Sequence, residues 1–222
     1  MLADWSDKNY AARYNSVYAT PAEEFQACLD KLALSGTDSL LDLGCGNGDF
    51  LLLASGRVSK AVGVDISGPQ ADAAEQKLKN TGNARIVRSS FMDFSPAGEV
   101  FTRGFARKSL HHLTDPEKRA FFLRLAPVFP PGSLFLMEDV IFEFERAELD
   151  KHWDRLLAEA EIFYGPAWKA KKKDVPHTFR EEFPTGYPEW ERIFSSSGFR
   201  IIGRERTNYF YGSLLAEKIS NG

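Results

Sequence analysis

Ser39-Leu40-Leu41-Asp42-Leu43-Gly44-Cys45-Gly46-Asn47-Gly48-Asp49-Phe50, followed by Val62-Gly63-Val64-Asp65-Ile66, is the stretch that decides the fold. A short apolar run meets a turn with glycine at alternate positions, and an apolar helical start follows. A second apolar run then ends in a carboxylate. This is strand, turn, helix, strand, the opening of a parallel α/β sheet. Gly44, Gly46 and Gly48 lack a Cβ, which permits a tight turn and close approach of a ligand to the backbone. Free backbone N–H groups are expected to point outward where the strand gives way to the helix. Ligands of open α/β sheets bind in that crevice, and a carboxylate at the end of the next strand, here Asp65, accepts hydrogen bonds from ribose hydroxyls. The pair reads as a nucleoside site.

The glycine spacing narrows the nucleoside. A dinucleotide fingerprint needs glycine at the sixth position, but Asp49 stands there counting from Gly44 and Leu51 counting from Gly46. No G-K-[ST] string follows a glycine at phosphate-loop spacing. The spacing Asp42-x-Gly44-x-Gly46-x-Gly48 resembles the glycine motif of class I S-adenosylmethionine-dependent methyltransferases. The resemblance covers about residues 38–140 well and reaches the C-terminus less specifically. It implies one Rossmann-like α/β domain over 1–222, a three-layer sandwich around a seven-stranded, mostly parallel sheet with an antiparallel last strand. It also implies S-adenosylmethionine as cofactor and S-adenosylhomocysteine as product. On this pattern Gly44, Gly46 and Gly48, with Cys45 as a small residue inside the turn, face the amino-acid part of the donor. Asp42 helps orient its amino group, and Asp65 with Ile66 holds the nucleoside.

Residues 1–37 precede the first strand and are expected to form a helical lid. Tyr10, Tyr14 and Tyr18 fall on one face of a helix over Asp7 to Tyr18. In the family an N-terminal tyrosine-bearing segment often covers the methyl donor, which makes Tyr10 and Tyr14 candidates; simple docking of the stripe is the alternative. A second helix runs from Ala22 to about Leu34 and is closed by Gly36. Ser67-Gly68-Pro69-Gln70 reads as a capping box. After the third strand, Arg85 to Ser89, the family places an acid for the adenine amino group. Here Ser90 stands there, with Asp93 as the alternative, and Phe91 either packs on adenine or in the core.

Val100 to Ala106 is a poor strand by pattern, assigned as the fourth because of the segment that comes after it. That segment, Arg107-Lys108-Ser109-Leu110-His111-His112-Leu113-Thr114-Asp115, resembles the family's Leu-His-His-Leu-x-Asp stretch. Arg107 and Lys108 are then expected on the cofactor side and Ser109 on the acceptor side. Asp115 is expected to cap the next helix. His112, then His111, is the candidate proton acceptor, since a neutral imidazole can take a proton at neutral pH; adjacent residues do not both face one pocket. Histidine and carboxylate spacing gives no metal site. After strand five, residues 140–185 form an insertion expected to build the acceptor side. Within it Trp153 lies on a helix over Glu143 to Ile162, and Lys169 and Lys171 to Lys173 read as a solvated basic surface. Arg180 clamps an anionic acceptor or pairs with a nearby acid. A helix over Tyr187 to Ser197 and two final strands in an antiparallel hairpin close the chain.

Composition sets the outer limits. The 222 residues carry a net charge of -3 and 43% apolar residues, enough for one full α/β core and no general case for nucleic-acid binding. No apolar run approaches a membrane span and no basic-then-apolar leader opens the chain. Two cysteines do not make a disulfide framework. A cytoplasmic monomer or homodimer acting on a small-molecule acceptor, without nucleic-acid or membrane partners, is the expectation. The reaction is in-line methyl transfer driven mainly by proximity and orientation. Another alkyl transfer on the same fold, a nicotinamide dehydrogenase and a non-catalytic cofactor-binding module are the competing readings.

Overall fold

The computed structural model describes residues 5–96 and 98–219. The first four residues of the expected lid and the last three of the expected domain lie outside them. In chain order the elements are α1 (Lys8–Val17), α2 (Ala22–Leu32), β1 (Ser39–Leu43), α3 (Asp49–Ser55), β2 (Lys60–Asp65), α4 (Gly68–Leu78), β3 (Ala84–Arg88) and β4 (Arg103–Arg107). Then follow α5 (Asp115–Leu125), β5 (Leu134–Phe142), α6 (Leu149–Tyr164), α7 (Trp168–Lys171), α8 (Asp174–Glu181), β6 (Thr185–Gly186), α9 (Tyr187–Ser196), β7 (Phe199–Arg206) and β8 (Tyr211–Lys218).

The sheet order is β3-β2-β1-β4-β5-β8-β7, with the two-residue β6 on the end of β5. β1 to β6 pair in parallel, and β8 runs antiparallel to both β5 and β7. The expected Rossmann-like sheet with an antiparallel ending is therefore present. Strand residues alternate between faces. Leu41 and Leu43 point into a core shared with α5 and α9, through Phe121, Phe122, Trp190 and Phe194. Leu40 and Phe105 point the other way, onto α2 and α3 through Leu29, Leu32, Phe50 and Leu51. A third cluster, around Phe142, Leu156, Phe179 and Phe210, joins the insertion to the ends of β5 and β8. β1 lies at the switch point, with β2 on one side and β4 on the other. The crevice opens beyond the carboxyl ends of those strands.

Local signals were overridden at several places. The fourth strand begins at Arg103, not Val100. Its weak pattern has a packing cause: a Cβ on Gly104 would lie 2.2 Å from the Phe135 ring of β5. The largely buried Arg103 side chain is satisfied by donating to the Leu32 carbonyl at 2.7 Å and by pairing with Asp38 at 3.1 Å. Asp115 is not the cap of α5. Thr114 is, in a reciprocal capping box with Glu117, while Asp115 pairs with Lys118 at 2.8 Å. Ser67 does cap α4, but the Gln70 side chain does not close the box. It exchanges two hydrogen bonds with Asn15 and so fastens α1 to α4. α2 ends at Leu32 through Ala33, at φ 47°, and not at Gly36. The helix expected from Glu143 starts later, at Leu149, because β5 runs on to Phe142.

The basic run is not all solvated surface. Lys171 is buried, donates to the Val17 carbonyl at 2.7 Å and lies 3.7 Å from the Tyr18 ring centroid. A cation there satisfies an open carbonyl in the last turn of α1. Arg13 adds an ion pair to Asp174 at 2.8 Å. The insertion thus holds α1 against the crevice.

Candidate active site

The first βα turn is pinned before any ligand arrives. The N–H groups of Gly44 and Cys45 donate to the Val64 carbonyl at 2.8 and 3.1 Å. That of Gly46 donates to Asp65 Oδ2 at 2.8 Å. The outward-pointing free donors expected there are therefore engaged by β2. The glycines divide the work. A Cβ on Gly44 would collide with Ser109, and one on Gly48 would press on Ala74 of α4. Gly46, at φ 53°, has nothing within 4 Å of a would-be Cβ and opens to the crevice. Cys45 is buried, with Sγ close to Gly63, and packs the turn on β2.

Asp65 accepts from Ser67 N at 2.8 Å as well as from Gly46 N, so each oxygen keeps one lone pair for a ligand. Burial raises its pKa against those hydrogen bonds. Asp42 lies buried beneath the turn with Oδ2 unpartnered. Burial and then the charge of Asp65 raise its pKa well above the usual carboxylate range. A bound cation is what such a pair lacks.

A cavity of about 430 Å³ opens over these residues. It is lined by Gly44, Gly46, Asp65, Ile66, Ser90 and Phe91, together with Tyr14, Arg107, Lys108, Ser109 and His112. Ile66 is exposed, an apolar platform at the rim. Ser90 donates to Asp93 Oδ2 at 2.6 Å, so the two candidates for the adenine contact are tied to each other, and Ser90 is the one in the wall. Phe91 lines the cavity and packs on Phe121 at a centroid distance of 5.5 Å, at the boundary between cavity and core. Gly48, Asp42 and Cys45 stand behind this wall.

A second chamber of about 90 Å³ adjoins the first and shares Trp5, Tyr14, Lys108, His112 and Glu182 with it. Tyr10 belongs to this chamber and not to the larger one. The remaining walls include Tyr18, Tyr164, Phe179, Phe210 and Tyr211. Trp5 joins the two chambers. Its ring meets Tyr10, Tyr14 and His112 edge-on at centroid distances of 5.1, 5.0 and 6.0 Å.

The histidine pair sits at the junction, and its two members differ. His111 is buried and binds Asp139 Oδ1 through Nδ1 at 2.5 Å. The other Asp139 oxygen accepts the N–H groups of Leu110 and His111 at 2.9 and 3.2 Å. Glu182 Oε2 lies 3.3 Å from His111 Nε2. Burial would lower the His111 pKa, but Asp139 and its hydrogen bond, then Glu182, hold it up at about 10. His111 is thus an imidazolium at neutral pH. Burial and the charge of His111 push His112 down to about 4, so it is neutral. Its Nδ1 lies 3.4 Å from Glu182 Oε1. The Glu182 pKa falls to about 2, since His111 outweighs the effect of burial. Ligand atoms of His111, His112 and Glu182 all lie within 4.8 Å of one another, and with His111 protonated the cluster is held together by its own charges. Histidine spacing did not show this set, because Glu182 arrives from beyond α8.

Other expected site residues have different partners. Ser109 donates to the Leu43 carbonyl at 2.8 Å and so ties β4 to β1. Arg107 pairs with Glu24 of α2 and, at 3.0 Å, with Glu138 of β5. Arg180 and Trp153 line neither chamber. Arg180 lies 3.8 Å over the Trp153 ring and pairs with Asp150 at 3.0 Å, on the surface. An arginine so engaged is not available as an acceptor clamp, and the alternative salt bridge is the one formed. Sequence reasoning missed Trp5, Gln70, Asp139 and Glu182. Asp139 escaped because the apolar pattern of the fifth strand stops at Glu138, one residue short of it. Glu182 escaped because it lies just past α8, far from the histidines in sequence.

A family model described as a methyltransferase domain matches residues 40–132. An uncharacterized methyltransferase of Geobacillus kaustophilus is 26% identical over 144 residues, which cover 65% of this chain and 64% of that protein. The 27-O-demethylrifamycin SV methyltransferase of Amycolatopsis mediterranei is 26% identical over 160 residues, covering 68% of this chain and 58% of that protein. The chain thus spans less than two thirds of the length of these two curated relatives. Among solved structures, geranyl diphosphate C-methyltransferase of Streptomyces coelicolor is similar in fold, with a TM-score of 0.67 at 15% identity over 89% of this chain and 76% of that one. That structure holds Mg²⁺, geranyl-S-thiolodiphosphate and S-adenosyl-L-homocysteine. No helix among the described residues is long and apolar enough to cross a membrane. The domain match covers residues 40–132, and with the order of the sheet and the glycine turn facing Asp65 the chain has the Rossmann-like fold of S-adenosylmethionine-dependent methyltransferases.

Proposed function

We propose that this chain binds S-adenosylmethionine in the larger cavity and transfers its methyl group to a small-molecule acceptor held in the aromatic chamber. The observation that carries the reading is the junction: two adjoining chambers that meet at Tyr14, Lys108, His112 and Glu182. The chain's residues fit the donor. Gly46 leaves room at the turn, Asp65 keeps lone pairs for two hydroxyls, and the unpartnered Asp42 oxygen suits a nearby ammonium. The donor supplies a methyl group on a cationic sulfur, which leaves as a neutral thioether.

What the protein adds is position and dryness. Tyr14 and Trp5 close the junction and exclude water, and the fixed walls hold the acceptor in line, the source of most of the rate in such a transfer. His112 is neutral and opens to both chambers, so it takes the proton that a hydroxyl or amine acceptor releases as the new bond forms. Glu182 then stabilises the imidazolium produced. His111, held by Asp139, positions its neighbour and Glu182 and is not the base.

Calorimetric titration with S-adenosylmethionine, S-adenosylhomocysteine and NAD tests the donor site. Micromolar binding of the first two without NAD is expected. Binding of NAD alone, or of none of the three, refutes the reading. Transfer of a labelled methyl group to members of a small-molecule panel, lost in His112→Ala with donor affinity kept, tests the acceptor half.

A further inference from the structure

The donor and base leave one charged group in the site unexplained. Lys108 stands at the tip of β4 with φ 51°, a left-handed conformation that side-chain-bearing residues seldom adopt. Such strain persists where the surroundings hold a side chain in one place. Lys108 lines both chambers, yet its ammonium makes no hydrogen bond or ion pair with any described residue. Its placed neighbour is the Tyr211 ring, 5.8 Å away, and Tyr211 lines the aromatic chamber and not the donor cavity. The cationic head therefore leans to the acceptor side.

The local acids are already matched. Glu24 and Glu138 are taken by Arg107. Asp174 pairs with Arg13, and Glu182 lies between the two histidines. Lys108 is the cation left over. Tyr211 adds a second group: its buried hydroxyl lies beside the Arg107 guanidinium, which can only donate, so its own proton has no acceptor. An ammonium and a phenolic O–H, both lacking an acceptor and both in the wall of a chamber lined by aromatic rings, form a receptor for acidic oxygen.

We propose that the acceptor is a small planar acid, aromatic or unsaturated, whose carboxylate or ionised hydroxyl binds between Lys108 Nζ and the Tyr211 hydroxyl. The proposal rests on the methyl-transfer reading for the identity of the chamber, and it names the class of molecule that enters. Tyr10, Tyr14, Phe179 and Phe210 supply flat walls for the ring. Burial, then Arg107, lowers the Lys108 pKa to about 8, which still leaves the ammonium charged at neutral pH. Anchoring one end at Lys108 leaves the other free to face His112 across the junction.

The test compares benzoate with its neutral isostere benzamide and with benzylamine, by calorimetry on the whole chain, with and without saturating S-adenosylhomocysteine. Benzoate is expected to bind at least about tenfold more tightly than benzamide, and benzylamine more weakly than either. Lys108→Met should abolish the preference while leaving benzamide and S-adenosylhomocysteine affinities within about twofold. Lys108→Arg should restore part of it, and Tyr211→Phe should cost benzoate about three- to tenfold. Benzoate no tighter than benzamide, including binding of neither, overturns the proposal, as does a preference for benzylamine. A Lys108→Met protein that loses S-adenosylhomocysteine but keeps the benzoate preference also overturns it, and assigns the ammonium to the donor's own carboxylate. Failure of the wild type to bind S-adenosylhomocysteine defeats the methyl-donor reading instead. The benzoate comparison on the free protein then still decides the acid site.

Discussion

Asp65 is the residue at which the donor reading is most exposed to test. Its two oxygens already hold the backbone at Gly46 and Ser67, and the remaining lone pairs face the cavity. Asp65→Ala should weaken S-adenosylhomocysteine binding by roughly 1–3 kcal/mol, the cost of leaving ligand hydroxyls unpaired in a buried site. Unchanged affinity in a calorimeter would show that the ribose sits elsewhere. His112 gives a second residue-scale prediction. A base whose pKa is held near 4 is free of its proton throughout the neutral range. The rate at saturating donor and acceptor should then be flat from about pH 6 to 8 and fall only toward pH 4; a step near pH 6.5 would mean an unperturbed histidine. Asp65 was legible in the sequence because one feature, a carboxylate ending the strand after a glycine turn, does one thing. The roles of His111 and His112 were not, since Asp139 and Glu182 decide them and both come from other parts of the chain.

At the scale of elements, the central parallel strands and the helices between them could be read directly, because strands buried on both faces read as short continuous apolar runs and caps mark the helices. Legibility failed where tertiary contacts outvoted local pattern. β4 looks poor because Gly104 makes way for Phe135, and the lysine run looks solvated although Lys171 is inserted under Tyr18. The lid gives the corresponding prediction. α1 is held by Lys171 on the Val17 carbonyl, by Arg13 and Tyr18 on Asp174 and by the Asn15–Gln70 pair. Lys171→Met keeps the stem and removes the charge-assisted bond. It should speed release of S-adenosylhomocysteine several-fold, measured by stopped flow, and lower global stability by only about 1–2 kcal/mol. A large loss of stability with an unchanged off-rate would make Lys171 part of the core and not a fastening of the lid.

For the whole molecule, the buried groups of the site also set how stability depends on pH. His111 has its pKa raised from 6.5 to about 10, chiefly by Asp139 acting against burial. A group whose folded pKa is raised binds its proton more tightly in the native state than in the unfolded chain. Its contribution is therefore complete below about pH 6.5 and is lost as pH climbs toward 10. The loss can reach about 1.4 kcal/mol per pH unit for a single proton. Asp139 and Glu182 have lowered pKa values, so their contribution has the opposite sense and disappears in acid. Asp42 and Asp65, raised by burial, subtract stability once they ionise, a cost that the bound donor's cation at Asp42 would relieve. Urea unfolding of wild type and His111→Gln from pH 6 to 10 separates the first of these effects from ordinary lysine and tyrosine titration. The variant should be markedly less stable at pH 6, and the gap should narrow steadily toward pH 10. Parallel curves would mean that His111 is neutral in the fold, which would return it to the list of candidate bases and remove the reason for assigning that role to His112.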